Sequence, residues 1–422
     1  HGGGRGTVSS VIREKTSLEL APRDGGPAWL EERRRAASSA LARDGFPTKK
    51  TEAWRFTPTR PFVEEATQEL RAQTEEARAR AEALPRLSEA RVVLVDGAPV
   101  SLPEIRGVRF ARLVDALAER ARPLASLDAE DAFARLNATR FDDGLSIEVS
   151  ADVDPQTVLE LVHVATSAPG SVRYPRVAIA LAPNASLTIV ERAIGADEPS
   201  VASHTVVDVE LAEGARLEHV RIGEDRGLST AWIAVRAARH AFYGSRVATL
   251  RGRIARTHLE VSLEGEGAEA ELLGVYRARE KDHLDHHLVV HHRVPHCTSQ
   301  MRHHGVIDDK ATAVFDGITV VHRDAQGTVA HQENRNLLLS ESATVHTKPH
   351  LEIDADDVKC SHGTTVGSLD EQSLFYMRAR GIPEETARAM LTEAFLRAPV
   401  DTIRDERVRE ALLEFVGAEE GR

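Results

Sequence analysis

Apolar positions recur at helical spacing near both ends of this chain and at strand spacing between them. Trp29, Leu30, Ala36, Ala37, Ala40 and Leu41 mark a helix that Gly45-Phe46-Pro47 ends. Lys49 to Pro61 reads as a loop broken by Pro58 and Pro61. Phe62 to Leu84 reads as one charged helical segment ended by Pro85. Its thin stripe (Val63, Ala66, Leu70, Ala77, Ala81) predicts a surface helix. Val92 to Gly97 reads as a strand running into a turn, and Ala129 to Ala138 as a short helix. Asp143-Gly144 then turns the chain into the strand Leu145 to Val149. A mixed α/β domain is expected over residues 21–155.

The pattern changes at about Val158. Short β-rich runs alternate with small turn residues as far as Ile353, without a helical stripe. The turns are Asn184-Ala185-Ser186, Glu213-Gly214-Ala215, Tyr243-Gly244-Ser245, Gln326-Gly327-Thr328 and Glu341-Ser342-Ala343. Their spacing is about 30 residues early and about 15 late, which predicts a stacked β-solenoid over 156–366 rather than a β-sandwich. Beyond Gly367 the chain is helical again, in a unit over 367–422. Ser368-Leu369-Asp370-Glu371 has the capping-box pattern of a helix start, and Pro383 suits a first helical residue. Ala387, Met390, Leu391, Ala394 and Phe395 form one stripe, and Val408, Ala411, Leu412, Phe415 and Val416 a second. These stripes pack either on the solenoid or on a partner.

Composition narrows the class. At 422 residues the chain can bury a large core in two or three domains. No apolar run approaches the roughly 20 residues that span a bilayer. The net charge of -12 disfavours a nucleic-acid surface. Two cysteines supply no disulfide framework, which suits a reducing cytosol. His1 to Gly6, without an apolar signal core, reads as a processed or artificial end, and residues 1–20 are expected to be disordered.

Candidate chemistry concentrates at Cys360-Ser361-His362-Gly363. In a strand, Cys360 and His362 face the same side and can present a thiol and an imidazole to one target. A buried cysteine beside a hydrogen-bonded histidine at a strand end is the competing reading. The second feature is histidine density beside Cys297: His283, His286, His287, His291, His292, His296, His303 and His304. Clustered imidazoles can bind zinc or iron, but the alternation of strand side chains points several apart, so a solvated or inter-subunit face is the preferred reading. Gly265-Glu266-Gly267-Ala268-Glu269-Ala270 fits G-x-G-x-x-A but has no helix after it and is rejected as a dinucleotide site. The chain carries neither a P-loop nor a G-x-S-x-G elbow.

The run Asp356-Asp357-Val358-Lys359-Cys360-Ser361-His362-Gly363-Thr364-Thr365-Val366-Gly367, followed by Leu374 to Ile382, closely resembles the SufB/SufD family of iron–sulfur cluster assembly scaffolds, with a SufD-like rather than SufB-like pattern. Phe315-Asp316-Gly317, Asn336 to Ser340 and Pro349 to Ile353 extend the resemblance, and Lys50 to Thr57 matches more weakly. The resemblance implies a mainly β fold, a right-handed parallel β-helix flanked by the α/β N-terminal domain and the C-terminal helices. It implies a non-catalytic, cytoplasmic scaffold that pairs with SufB through the β-helix and docks the ABC ATPase SufC through the C-terminal helices. A transient iron–sulfur cluster would form at the SufB–SufD interface, with no permanent cofactor. His362 then serves the nascent-cluster site as a transient iron ligand and Cys360 as a ligand or sulfur relay. Phe375, Tyr376 and Arg380 fall in the SufC docking region. Two cysteines cannot supply the roughly four ligands a cluster takes, so any such site is shared with another chain. A homodimer is the alternative pairing for the isolated chain, without nucleic acid or membrane. The rival function is a metal-dependent β-helix enzyme acting on a polymer through the histidine-rich stretch.

Overall fold

The computed structural model describes residues 18–69, 75–119, 124–166, 168–195, 198–223 and 225–417. Leu70 and the His1–Gly6 end lie outside them. The centre is a parallel β-solenoid with two strands per turn, written here β1 to β16. They are β1 Leu145–Val149, β2 Val158–Val164, β3 Arg176–Leu181, β4 Ser186–Ile194, β5 Ala202–Leu211, β6 Arg216–Gly223, β7 Leu228–Ala237 and β8 Phe242–Thr249. The chain continues with β9 Ile254–Leu263, β10 Glu269–Ala278, β11 His283–His292, β12 Thr298–Ile307, β13 Thr312–Val321, β14 Thr328–Leu338, β15 Thr344–Ile353 and β16 Val358–Gly367. Odd strands stack in one sheet and even strands in the other. Val108–Arg112 pairs antiparallel with β1, and Ala90–Val95 parallel with β2, so N-terminal strands extend both sheets.

Paired residues of successive turns are offset by 26 (Arg216 with Phe242) to 32 (Thr312 with Thr344). The 15-residue spacing expected late in the chain arises because Gln326-Gly327 and Glu341-Ser342 mark the two opposite corners of one turn. The corners leading into β4, β6, β8, β10, β12 and β14 each use one left-handed residue: Asn184, Gly214, His240, Gly267, His296 and Gly327. There the N–H of His240 reaches Glu266 O and that of His296 reaches Gln326 O, tying each corner to the next. The side chain of one corner roofs the next: a Cβ on Gly267 would stand 2.4 Å from His240 Nδ1, and one on Gly327 2.5 Å from His296 Nδ1. Glycine is therefore required beside each of these histidines. Tyr243-Gly244-Ser245, expected as a turn, lies inside β8; the corner is at His240, three residues before Tyr243.

Inward residues of the early turns form a continuous apolar core, including Leu187, Val207, Leu217, Ile233 and Leu259. N-terminal helices cover the outer face of the odd sheet. Helix α1 (Ala28–Asp44) and the later α5 (Ala132–Arg140) supply Leu30, Leu41, Phe133 and Leu136, packed with Ala178, Ala202, Leu228 and Ile254. The segment expected as one surface helix is instead α2 (Arg60–Glu64), a short strand Gln68–Glu69, and α3 (Glu75–Ala83). Val63, Ala66, Ala77 and Ala81 are buried, because the short strand pairs with Ser171 and Val172 and draws the segment inward. Between α3 and α5 lies α4 (Leu113–Glu119).

The C-terminal helices α6 (Glu371–Ala379), α7 (Glu384–Val400) and α8 (Glu406–Gly417) lie across the even sheet. Ala387, Leu396, Val400, Val408, Leu412 and Val416 pack there with Val220, Ile222, Leu273 and Val306. The α8 stripe is as expected. The α7 stripe is rotated: Met390 and Ala394 are exposed, and Leu396 and Val400 take their place. The N-cap of α6 is Asp370, whose carboxylate accepts from Ser373 N at 2.8 Å, two residues beyond Ser368.

Candidate functional site

The sheet registers stack inward residues into columns. One column of the even sheet runs Leu217, Tyr243, Ala270, Ser299, Ala330 and ends at Cys360. Its neighbour runs His219, Ser245, Leu272, Met301, Gln332 and ends at His362. The columns are buried down to Ala330 and Gln332. The last turn, β15 with β16, has no further turn over it, so His362 and Thr364 are exposed although they occupy core positions. Cys360 and His362 therefore share the inward side of one strand, about 7 Å apart along it, as the sequence predicts. Ser361 points to the outer face, 2.7 Å from His331 Nδ1.

The two candidates differ in environment. Cys360 is half-buried against Val321, Ala325, Ala355 and Val358, and that burial pushes its thiol pKa up. At neutral pH it is a protonated thiol, a poor nucleophile in this chain alone. His362 lines an open groove of about 590 Å³ together with Gln332, Asn334, Arg335 and Thr365. The interior becomes polar as it nears this mouth. Thr347 Oγ1 lies 3.0 Å from Thr364 Oγ1 and donates to Asn334 Oδ1 at 2.8 Å. Asn334 Nδ2 donates in turn to Tyr276 Oη at 3.1 Å and to His303 O at 3.1 Å.

The histidine-rich stretch is neither a solvated face nor a preformed metal cage. His286, His292, His303 and His304 are buried: His286 lies against Tyr276 and His303, and His292 Nε2 is 2.8 Å from Ser299 Oγ. His287 stacks on His258, which stacks on Trp232. His296 is a corner residue, and Cys297 is buried with Sγ 3.4 Å from Gly265 O. Alternation within β11 and β12 drives these rings to different layers, so among the described residues no three His, Cys, Asp or Glu side chains converge on one point. Gly265 to Ala270 forms the corner into β10, which removes the G-x-G-x-x-A match.

Phe375 and Tyr376 stand out on α6, 73% and 55% exposed, with the Arg380 guanidinium 4.1 Å over the Tyr376 ring. Leu374, buried, and Met377, partly buried, anchor the helix inward. The N-terminal segment around Lys50 to Thr57, whose role the sequence left open, latches onto the last turns. Lys348 Nζ donates to Glu52 Oε1 at 2.8 Å, Phe56 stacks on His346, and Thr57 Oγ1 donates to Asp285 at 2.5 Å. Arg256 lies over the Trp54 ring and pairs with the same Asp285. Sequence periodicity cannot find such a contact, because the partners are more than 200 residues apart.

The profile of the SUF system FeS cluster assembly SufBD core domain matches residues 163–395, from β2 into α7. The chain belongs to the SufBD family. It is 28% identical over 384 residues to the iron–sulfur cluster assembly protein SufD of Escherichia coli strain K12, covering 89% of this chain and 90% of that one. A SufBD family protein of Synechocystis is 28% identical over 403 residues, covering 89% and 87%. The chloroplastic protein ABCI7 of Arabidopsis thaliana is 29% identical over 418 residues, covering 93% and 86%. The SufBD core thus takes in the solenoid from the end of β2 onward, its open last turn and the α6 surface. No helix among the described residues is long and apolar enough to cross a membrane.

Proposed function

We propose that this chain is a non-catalytic scaffold of iron–sulfur cluster assembly in the cytoplasm, and that its open last turn is where a cluster is built. The observation that carries the reading is the uncovered inward face of β15 and β16. Two ten-residue edge strands and a set of core positions are left without a layer over them. Free strand edges pair with another chain unless they are covered, and a solenoid end needs a cap. A like-folded partner, SufB, fits that role by extending both sheets. His362 then supplies a neutral imidazole to iron at the seam, and Cys360 supplies a thiol that the partner's approach can activate. The remaining thiolates come from the partner, since Cys297 is sealed in the core. The cluster is cargo and leaves. The ATPase SufC docks on Phe375, Tyr376 and Arg380, one helix from the mouth, where its nucleotide state can bias the seam.

The rival reading, a metal-dependent enzyme acting on a polymer through the histidine-rich stretch, loses its support with the burial of those side chains. Co-expression with SufB and SufC homologues followed by affinity isolation tests the partner assignment. The expected result is a stable complex of all three chains. Recovery of this chain free of both would contradict it.

A further inference from the structure

One border of the open end carries a charge opposite to that of the whole chain. Residues 48–51 form a tight turn: Thr51 N–H donates to Thr48 O at 2.8 Å, and Lys50 N–H to Thr48 Oγ1 at 3.2 Å. Lys49 and Lys50 stand exposed at its tip. The residues that follow carry this turn onto β15. Glu52 holds Lys348, and Phe56 stacks on His346 with ring centroids 3.9 Å apart. Arg55 is exposed between them, its guanidinium 5.5 Å from the Phe56 ring. Since β15 is the edge strand of the odd sheet, these side chains border the uncovered end. Beside them opens a cleft of about 490 Å³, walled by Ala53, Phe56, Val345 and Lys348.

Four cations gather on this border: Lys49, Lys50, Arg55 and Lys348. Glu52 offsets one, and Asp316, which faces the same cleft, offsets a second. Asp285 below them is answered by Arg256. The border therefore stays positive in a chain whose net charge is -12. A chain of that charge repels an acidic partner at long range, so a local patch of opposite sign decides which end the partner approaches. We propose that Lys49, Lys50, Arg55 and Lys348 form a positive docking rim that steers an acidic edge of the like-folded partner onto β15 and the open last turn. The inference rests on the reading of that turn as a seam between two chains. It gives the N-terminal loop a part in the pairing, with an apolar side chain of the partner seated in the cleft against Phe56.

The association rate of the full-length chain with a SufB homologue tests it. At about 0.01 M salt, where screening is weak, the double variant Lys50→Glu, Arg55→Glu should associate at least about tenfold more slowly than the unaltered chain. At about 1 M salt the two should associate at the same rate. Dissociation should change far less, as for other charges at the edge of an interface. Arg106→Glu with Arg109→Glu, exposed beside the first turn of the solenoid, alters the net charge equally and should leave association nearly unchanged. Far-UV circular dichroism confirms that each variant is folded, and Lys49→Glu with Lys50→Glu, at the turn tip, is the second rim variant. No association of the unaltered chain would overturn the shared-seam reading and this inference with it. Association of the unaltered chain with a folded rim variant equally fast at low salt, or with the Arg106 and Arg109 variant as slow as the rim variant, would overturn this inference alone.

Discussion

Cys360 and His362 are neighbours on one strand but are not equally ready for chemistry. The thiol is packed and its pKa raised, whereas the imidazole lies open at the mouth. Alkylation by iodoacetamide, read by mass spectrometry, should be slow at pH 7 and accelerate steadily above pH 8. Only Cys360 should react in the native chain, since Cys297 is fully enclosed. Rapid, complete labelling at pH 7 would show a thiolate already formed. A second prediction concerns acid. Burial lowers the pKa of His204 to about 3, and of His286 and His292 to about 4. The unfolded chain protonates each below about 6.5 while the folded chain does not. Stability is therefore lost as pH falls from about 6.5 towards 4, by about 1.4 kcal/mol per pH unit for each such histidine. Glu191 acts lower: burial opposes its charge, but Arg221, His163 and His219 hold its pKa well below the usual range, so its contribution is lost only in stronger acid. Urea unfolding at pH 7, 6 and 5 should show a steep decline, and a flat profile would contradict this burial. At this scale the Cys360–His362 pair was legible, because a two-residue spacing fixes a shared face. The fate of the other histidines was not. Burial depends on which layer of the stack a ring enters, and sequence spacing within one strand does not specify that.

Among the elements, the solenoid was legible because its corners repeat, and its errors came from residues that perform a turn without looking like one. His240 and His296 adopt the left-handed conformation that glycine fills in the alternate turns. The sequence likewise offered two homes for the C-terminal stripes, and the structure assigns them to the even sheet. Leu412 is fully buried in that layer, so Leu412→Ala should cost about 2–5 kcal/mol in denaturant unfolding. Phe375→Ala and Tyr376→Ala should change stability by no more than about 0.5 kcal/mol, yet greatly weaken retention of the ATPase in pull-downs. Undiminished retention by the double variant would place the docking surface elsewhere. Deleting everything after Gly367 cannot make this distinction, because it would strip the apolar outer face of β6, β8, β10 and β12. The N-terminal latch shows the limit of local reading: Trp54 and Thr57 look like loop residues until β9 and β11 arrive beneath them.

Among the described residues, three surfaces of the molecule are covered and the fourth is bare. Helices from each end of the chain cover the two sheets, N-terminal strands continue the early end, and the late end stops at β15 and β16. The N-terminal latch ties this bare end back to the first domain through Glu52 and Lys348, so the mouth is braced before any partner arrives. A core column ending in a histidine that nothing covers is poor design for an isolated protein and good design for half of a shared site. The most direct test is iron and acid-labile sulfide per complex after anaerobic co-expression with SufB and SufC homologues, for the unaltered chain and for His362→Ala. An exposed histidine contributes little to stability, so the complex should assemble in normal yield while its iron and sulfide fall severalfold. Undiminished iron and sulfide in an intact His362→Ala complex would contradict the assignment of the last turn as the assembly site.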